Sequence, residues 1–537
     1  MSKKEKNMKY DIVVIGAGHN GLAAAIQFAK QGKQVLVLEK EPRPGGAAKS
    51  GEVAAPGFIH DLFSMNVSLF LKSRFYSENQ RELEANGFTP VYGPHPYASV
   101  FPEGHGLAIN KDPAKTHRNI ASYSLADAET WKDFDALYDR VSPYLYKLMH
   151  REVPSLRAGL VVFRALLDLK IKSALEVSSQ LAKTPRQFVD SWFENDKVKS
   201  LVVPWGYQLD YAPDVSGGAA FPLIEAIGHY REGIPFARGG IQTMIQAMVT
   251  MLEARDGELQ TSTWVNEVYV EDGAAKGVIL DDGTYIEAGD VIATATPTQI
   301  IDHLVDTARL PASFVTKANN YQYGPKTMVI HLALDEPLQW SAGEEIGQSA
   351  YVHIAPYVTD LARTHTQALN ETLPDSPLLI VGQPSAVDPS RAPEGKAAVW
   401  IMVRSLPAHP EYDALNEIEP GPWSSIKEQY ADRIIDKLSE YAPNVKDTIA
   451  GRHVFSPEDL PQEDPNLVEG DHMAGSHQLF QHFLFRPFVG HSRYQTPISH
   501  FYMIGASTWP GGGLNAGSGY LLAEKLKSKS FFKISPL

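Results

Sequence analysis

The amino-acid sequence predicts an α/β fold with a doubly wound parallel sheet, and three observations carry that prediction. A wholly apolar strand runs straight into a glycine-spaced turn and a helix near the N-terminus, "DIVVIGAGHNGLAAAIQFAKQG". A second apolar strand runs into a glycine-rich turn near the C-terminus, "FYMIGASTWPGGGLNAGSGYLLAEKL". The chain has 537 residues, 43% of them hydrophobic and 21% charged, which is enough for two or more domains with cores of their own.

The first element is the run Ile12 to Ile15, apolar at every position as expected of a strand buried on both faces. Gly16, Gly18 and Gly21 follow in G-x-G-x-x-G spacing. The first glycine permits the tight turn, the second lets a pyrophosphate approach the backbone, and the third lets the helix pack closely on the strand. Ala23, Ala24 and Ala25 keep that helix slim, and Gly32 stands where it ends. A second apolar strand, Val35 to Leu38, leads to Glu39, 18 residues beyond Gly21, near the spacing of the carboxylate that accepts from a ribose. The acid disfavours a 2′-phosphate, so NAD and FAD both remain open at this point.

Composition narrows the field further. A net charge of −14 and a pI near 5.7 oppose nucleic-acid binding, because neutralising phosphates takes clustered cations. Cysteine is absent, which excludes disulfides, thiolate metal sites and a cysteinyl link to a cofactor, so redox chemistry must use a bound group. The basic start "MSKKEKNMKY" precedes too short an apolar run for a signal peptide. No apolar stretch reaches the roughly 18 residues that a membrane-spanning helix takes. The expectation is a cytoplasmic protein.

Beyond Glu39, "EKEPRPGGAAKS" places Lys40, Arg43 and the Gly45–Gly46 pair where a simple dehydrogenase would continue into its own third strand. Residues 239–297 then read as helix, strand, hairpin and strand, with Asp282–Gly283 as a turn between alternating strands. The C-terminal turn enters an amphipathic helix, whose N-terminus offers free amides and a positive dipole end.

Taken together, "VVIGAGHNGLAAA", "EPRPGGAA", "DPNLVEGDHMAGSHQLFQHFLFRP" and "YMIGASTWPGGGLNAGSG" resemble the phytoene desaturase and carotenoid oxidoreductase family of FAD proteins. The branch they resemble includes retinol saturase-like and pyridine nucleotide-disulphide-oxidoreductase-domain-2-like proteins. The resemblance covers nearly the whole chain. It implies a glutathione-reductase-like, amine-oxidase-like FAD domain assembled from 8–110, 226–299 and 491–537, with a mixed-sheet substrate domain and helical cap from 111–225 and 300–490. It also implies FAD contacts from Gly16, Gly18, His19, Asn20, Gly21, Glu39, Lys40, Arg43, Gly45, Gly46, Ala47, Ala48, Val265, Gly505, Ala506, Gly512, Gly513, Leu514 and Asn515. The two glycine turns then cradle opposite ends of one FAD. Disulfide chemistry, invoked by the name of that last branch, is closed to a cysteine-free chain. With no second strand-GxGxxG-helix unit, electrons are expected to leave to oxygen, a quinone or another acceptor, or to return to the substrate.

The expected activity is dehydrogenation of an apolar small molecule, polyene or lipid-like, by hydride transfer to flavin N5. Two alternatives stand beside it, a redox-neutral double-bond isomerase and a non-catalytic flavin-binding protein. His477, Gln481, Arg486 and Trp509 are candidate substrate-site residues. His472, His477 and His482 recur every five residues, a turn of about 140° on a helix, and so do not share a face as metal ligands would; no metal is expected. Read as one helix over 157–172, Arg157, Arg164, Asp168 and Lys172 fall within roughly 80° and leave a broad apolar face, a candidate peripheral membrane contact.

Overall fold

The structure, a computed structural model, describes residues 9–533. The first residue of the expected 8–110 segment and the last four of 491–537 lie outside the described residues. Strand Lys9–Ile15 sits at the centre of a seven-stranded sheet, parallel to Val35–Leu38 on one side and to Tyr285–Ala293 on the other. Glu258–Gln260 pairs with the far edge of Val35–Leu38, and Phe501–Met503 pairs in parallel with the end of Tyr285–Ala293. Three distant stretches of chain thus share one sheet. Val265–Glu271 and Ala274–Leu280 extend it antiparallel, and the second hairpin turns at Gly283, whose φ of +84° suits glycine.

Both faces of the central strand are covered, which is why its sequence does not alternate. Ile12 and Val14 pack under the helices His19–Ala29 and Gln242–Glu253, while Val13 faces Val268, Val278 and Phe314 on the other side. The helices His19–Ala29 and Gly517–Lys533 cross in backbone contact, since a Cβ at Gly519 would overlap the Asn20 carbonyl. The helix-starting ends of the two glycine turns are therefore packed directly on each other.

A second seven-stranded sheet follows the order Ile449–Phe455, Lys326–Leu334, Ala397–Leu406, Leu379–Gly382, Ser349–Ile354, His95–Phe101, His105–Ala108. It is mixed, with Ser349–Ile354 and His95–Phe101 its parallel pair. One face buries Val399, Ile401 and Val403 against the helix Trp423–Tyr441; the other buries Tyr97, Tyr351 and Trp400 against the helices Leu125–Met149 and Ala220–Glu232. Here the expected boundary at 110 is corrected. His95–Phe101 belongs to this second sheet because it pairs with Ser349–Ile354, more than two hundred residues later, and His105–Ala108 follows as the edge strand paired with His95–Phe101.

The single helix read over 157–172 is also corrected. The helix Leu156–Asp168 stops at Leu169, Lys170 turns with φ +61°, and Ile171–Leu181 forms a second helix. Lys170 explains the break, since on a continuous helix its ammonium would lie in the apolar face. The hairpin leaves Leu156, Leu160, Phe163, Leu167, Ile171 and Leu175 exposed.

Candidate functional site

One cavity of about 380 Å³ runs between the two sheets and touches both glycine turns. At its first end the three glycines of the N-terminal turn divide their work. Gly16 has φ +94° and lies against Thr294, and a Cβ on Gly21 would overlap the Gly16 carbonyl, so both are required by the protein's own packing. Gly18 differs. Its φ is an ordinary −68°, and a Cβ there would meet nothing closer than the Gly45 carbonyl at 3.8 Å. Its bareness is of use only to something in the cavity, which it lines.

Glu39 also lines the cavity, and it accepts from the Ala17 amide at 2.7 Å and the Glu41 amide at 3.0 Å. Burial raises its pKa, and the two amides act against that shift. A carboxylate has acceptor capacity beyond two bonds, so it can still receive ribose hydroxyls. Lys40, Thr263, Trp264 and Val265 complete this end, with the Lys40 ammonium 5.7 Å from the Trp264 ring centroid. Gly45 and Gly46, both at positive φ, bring the second loop against Gly18, and Asp464 closes over Gly46.

The C-terminal turn lies across the cavity. His477 Nε2 accepts the Gly512 amide at 2.8 Å, which fixes that nitrogen as unprotonated; burial and the Arg486 cation hold the ring well below the usual histidine pKa. Burial likewise lowers His482 to about 3 and His19 to about 4, so these rings are neutral near pH 7. Asn515 threads its amide into the turn, donating to the carbonyls of Gly511, Gly512 and Gly513 and accepting from Gly517. Because its side chain closes the turn on itself, the first amide of the helix Gly517–Lys533 is already capped and is not free as the sequence reading supposes.

Of the residues singled out from sequence, most line this cavity, but six do not. Arg43 is exposed, with Nη1 3.5 Å from the Ser50 carbonyl. Gly21, Ala48 and Asn515 act behind the lining. Gln481 ties the backbone of Gln322 at 2.9 and 2.8 Å. Arg486, fully buried, donates to the carbonyls of Ser476 at 2.7 Å and Ala506 at 2.6 Å, joining the two loops. Trp509 does line the cavity, with its indole N–H donated outward to Arg151 O at 2.8 Å. His472, His477 and His482 all reach the lining, yet no group of three or more His, Asp or Glu side chains is placed to hold a metal among the described residues.

The rest of the cavity is built by residues that no motif marks: Phe63, Met65, Tyr146, Trp205, Ile224, Glu225, Tyr351, Trp400 and Met402. They come from separate strands and helices, and their only sequence signal is apolar patterning shared with any core residue. The result is an aromatic-walled chamber continuous with the glycine cradle.

A family model described as flavin containing amine oxidoreductase matches residues 21–478. Pyridine nucleotide-disulfide oxidoreductase domain-containing protein 2 of Rattus norvegicus is 25% identical over 95% of this chain and 92% of its own length. The lycopene-forming phytoene desaturase of a Paracoccus species is 24% identical over 94% of each chain. Among solved structures, an oxidoreductase from Methanosarcina mazei superposes with a TM-score of 0.60 at 18% identity, over 97% of this chain and 100% of that one.

Proposed function

The chain belongs to the flavin-containing amine oxidoreductase family and is an FAD-dependent oxidoreductase, and from that premise we propose that it dehydrogenates an apolar small molecule. What carries this reading is the continuity of the cavity: one space joins Gly18 and Glu39 to the aromatic chamber around Trp205 and Trp400. A substrate in that chamber would lie beside whatever the glycines cradle.

The residues fit FAD. Gly18 leaves room for a pyrophosphate, Glu39 retains acceptor capacity for ribose hydroxyls, and Gly45, Gly46, Gly512 and Gly513 offer bare backbone along the remaining length. When bound, FAD supplies the redox step, taking a hydride at N5. The chamber's aromatic walls orient an extended apolar molecule and exclude water. The substrate would lose a hydride from one carbon and a proton from its neighbouring carbon or nitrogen, forming a double bond, and the two electrons and two hydrogens would end on oxygen as hydrogen peroxide or on a quinone as the quinol.

We infer also that the hairpin Leu156–Asp168 and Ile171–Leu181 rests on a lipid surface. It follows the helix Leu125–Met149, whose last turns line the cavity. Exposed Leu160, Phe163 and Leu167 are flanked by Arg157, Arg164, Lys170 and Lys172, an apolar face with a cationic rim that suits anionic headgroups.

The test is the visible spectrum of the purified, FAD-loaded protein, followed anaerobically as polyenes, fatty acyl chains and amines are added. Stoichiometric bleaching by one of them, reversed by oxygen or a quinone, is expected. Product without bleaching or acceptor use would make the protein an isomerase. No flavin band after reconstitution would overturn the assignment.

A further inference from the structure

Glu225 lines the substrate chamber from the helix Ala220–Glu232, and it is 8% exposed. Among the described residues no hydrogen bond reaches its carboxyl group, and its one contact at ion-pair range is His229 Nε2 at 3.4 Å. That nitrogen is already engaged. Asn66 Oδ1 accepts both the Ser68 amide at 2.9 Å and the Ser68 hydroxyl at 2.5 Å, which turns the Asn66 amide N–H groups toward His229 Nε2 at 3.0 Å. Ser68 Oγ also lies 3.2 Å from that nitrogen; with the Asn66 amide pointing at it His229 Nε2 is an acceptor there, and the neutral ring carries its proton on Nδ1, which has no hydrogen-bond partner among the described residues. Burial keeps the ring neutral, so it offers Glu225 neither a donor nor a charge.

The nearest cation, Lys72, is engaged elsewhere. Lys72 gives its ammonium to Tyr146 Oη at 2.9 Å and to Glu232 at 3.0 Å, and Glu232 can only add negative charge. Tyr351 lines the chamber without a hydrogen bond to Glu225. A carboxyl group buried without a hydrogen-bond donor is costly, and Glu225 lines the cavity, where a donor could arrive.

We propose that Glu225 is the anchor for a hydrogen-bond-donating head group, a hydroxyl or an ammonium, carried by an otherwise apolar substrate. This rests on reading the chamber as the substrate site. The surrounding rings of Trp205, Tyr146 and Tyr351 add apolar area for the chain beside the head group and π-faces for a cation.

Calorimetric titration of the FAD-loaded full chain at about pH 8.5, where the Glu225 carboxyl is ionised and acts only as an acceptor, with 1-octanol, octylammonium and 1-methoxyheptane, three probes of equal size, tests it. The ether has no donor. At least one donor probe is expected to bind about tenfold or more tightly than the ether, and which one does so identifies the head group. Glu225→Leu should abolish that margin and leave the ether's affinity unchanged. Glu225→Gln, closer in shape, should keep the margin for the alcohol and lose it for the ammonium. Equal affinity of all three for the wild type, equal weakening of all three by Glu225→Leu, or a margin that survives both variants overturns the anchor. Failure to take up FAD overturns the reading beneath it instead, and the flavin band reports that separately.

Discussion

The two ends of the cavity are made in opposite ways. The cofactor end is made of missing side chains: Gly18, Gly46, Gly512 and Gly513 leave backbone bare along a path that begins with a strand and ends with a helix. The proposed substrate end is made of large side chains, Tyr351 and Trp400 from the second sheet and Phe63 and Trp205 from segments packed on it. An end built from bare backbone tolerates little change in sequence, because each glycine answers to one atom's worth of space. An end built from side chains can be refitted one residue at a time, which is how one scaffold comes to serve many substrates.

Arg486 is where the comparison is most easily broken, because it ties the loop that carries His477 to the C-terminal glycine turn. Its guanidinium is fully buried and is held by the carbonyls of Ser476 in that loop and Ala506 in the turn. Arg486→Met would leave those carbonyls unpaired, at about 1–3 kcal/mol each. A loss of about 3 kcal/mol or more in urea unfolding is expected, together with weaker FAD retention. If FAD retention stays intact while stability falls, the loop and the turn are independent.

Glu225 sharpens the comparison through pH. Burial and the Glu232 charge raise its pKa from the ordinary 4.5 to about 7. Between those values the folded chain holds a proton that the unfolded chain releases, so stability is lost as pH rises through that window and remains lost above it. The penalty is up to about 3.5 kcal/mol above pH 7, at about 1.4 kcal/mol per pKa unit. Glu225→Gln should remove it: the variant's advantage over wild type in urea unfolding should grow from pH 4.5 to pH 8. A constant difference across that range would mean the carboxyl is not held in a desolvated site.

The same contrast decides what could be read in advance. The turn at Gly16–Gly21, the strands around it and Glu39 were legible because each depends on neighbours within about 25 residues, in a motif whose spacing is fixed by phosphate geometry. The second turn was legible as bare backbone, but the role of Asn515 was not, because an amide that closes a turn and an amide that meets a ligand look alike in sequence. Arg43 was misplaced for a similar reason, since a basic residue beside a glycine pair does not disclose which way it points. The hairpin of His95–Phe101 and His105–Ala108 was assigned to the wrong half because the pairing of His95–Phe101 with Ser349–Ile354 leaves no local trace. Glu225 was not visible at all. An acid on a helix reads as a solvated face until the sheet that buries it is known.

Gly18 gives the cleanest separation of ligand from fold. Its Cβ position is open to the cavity, whereas that of Gly21 is filled by Gly16. Gly18→Val should leave the melting temperature of the FAD-free protein within about 1 °C and weaken FAD binding about 100-fold, roughly 2.7 kcal/mol. Gly21→Ala should lower both. Equal effects of the two on the FAD-free protein would mean that the Gly18 surface serves packing and not a cofactor.

The smallest effect belongs to the region that neither end of the cavity explains, the hairpin Leu156–Asp168 and Ile171–Leu181. Its apolar residues do not hold the fold: Leu160 is 57% exposed, Phe163 58% and Leu167 60%. Replacing all three with Ser should therefore change stability by no more than about 0.5 kcal/mol at each position, the usual range for surface sites. The same change removes apolar area from any lipid contact, and should reduce co-sedimentation with anionic phospholipid vesicles by several-fold, with the remaining binding falling further as salt screens Arg157, Arg164, Lys170 and Lys172. Unchanged sedimentation would leave the exposed face without a lipid partner. A large loss of stability would instead show that these side chains pack on something within the protein, and the hairpin would then belong to the side-chain-built end of the molecule.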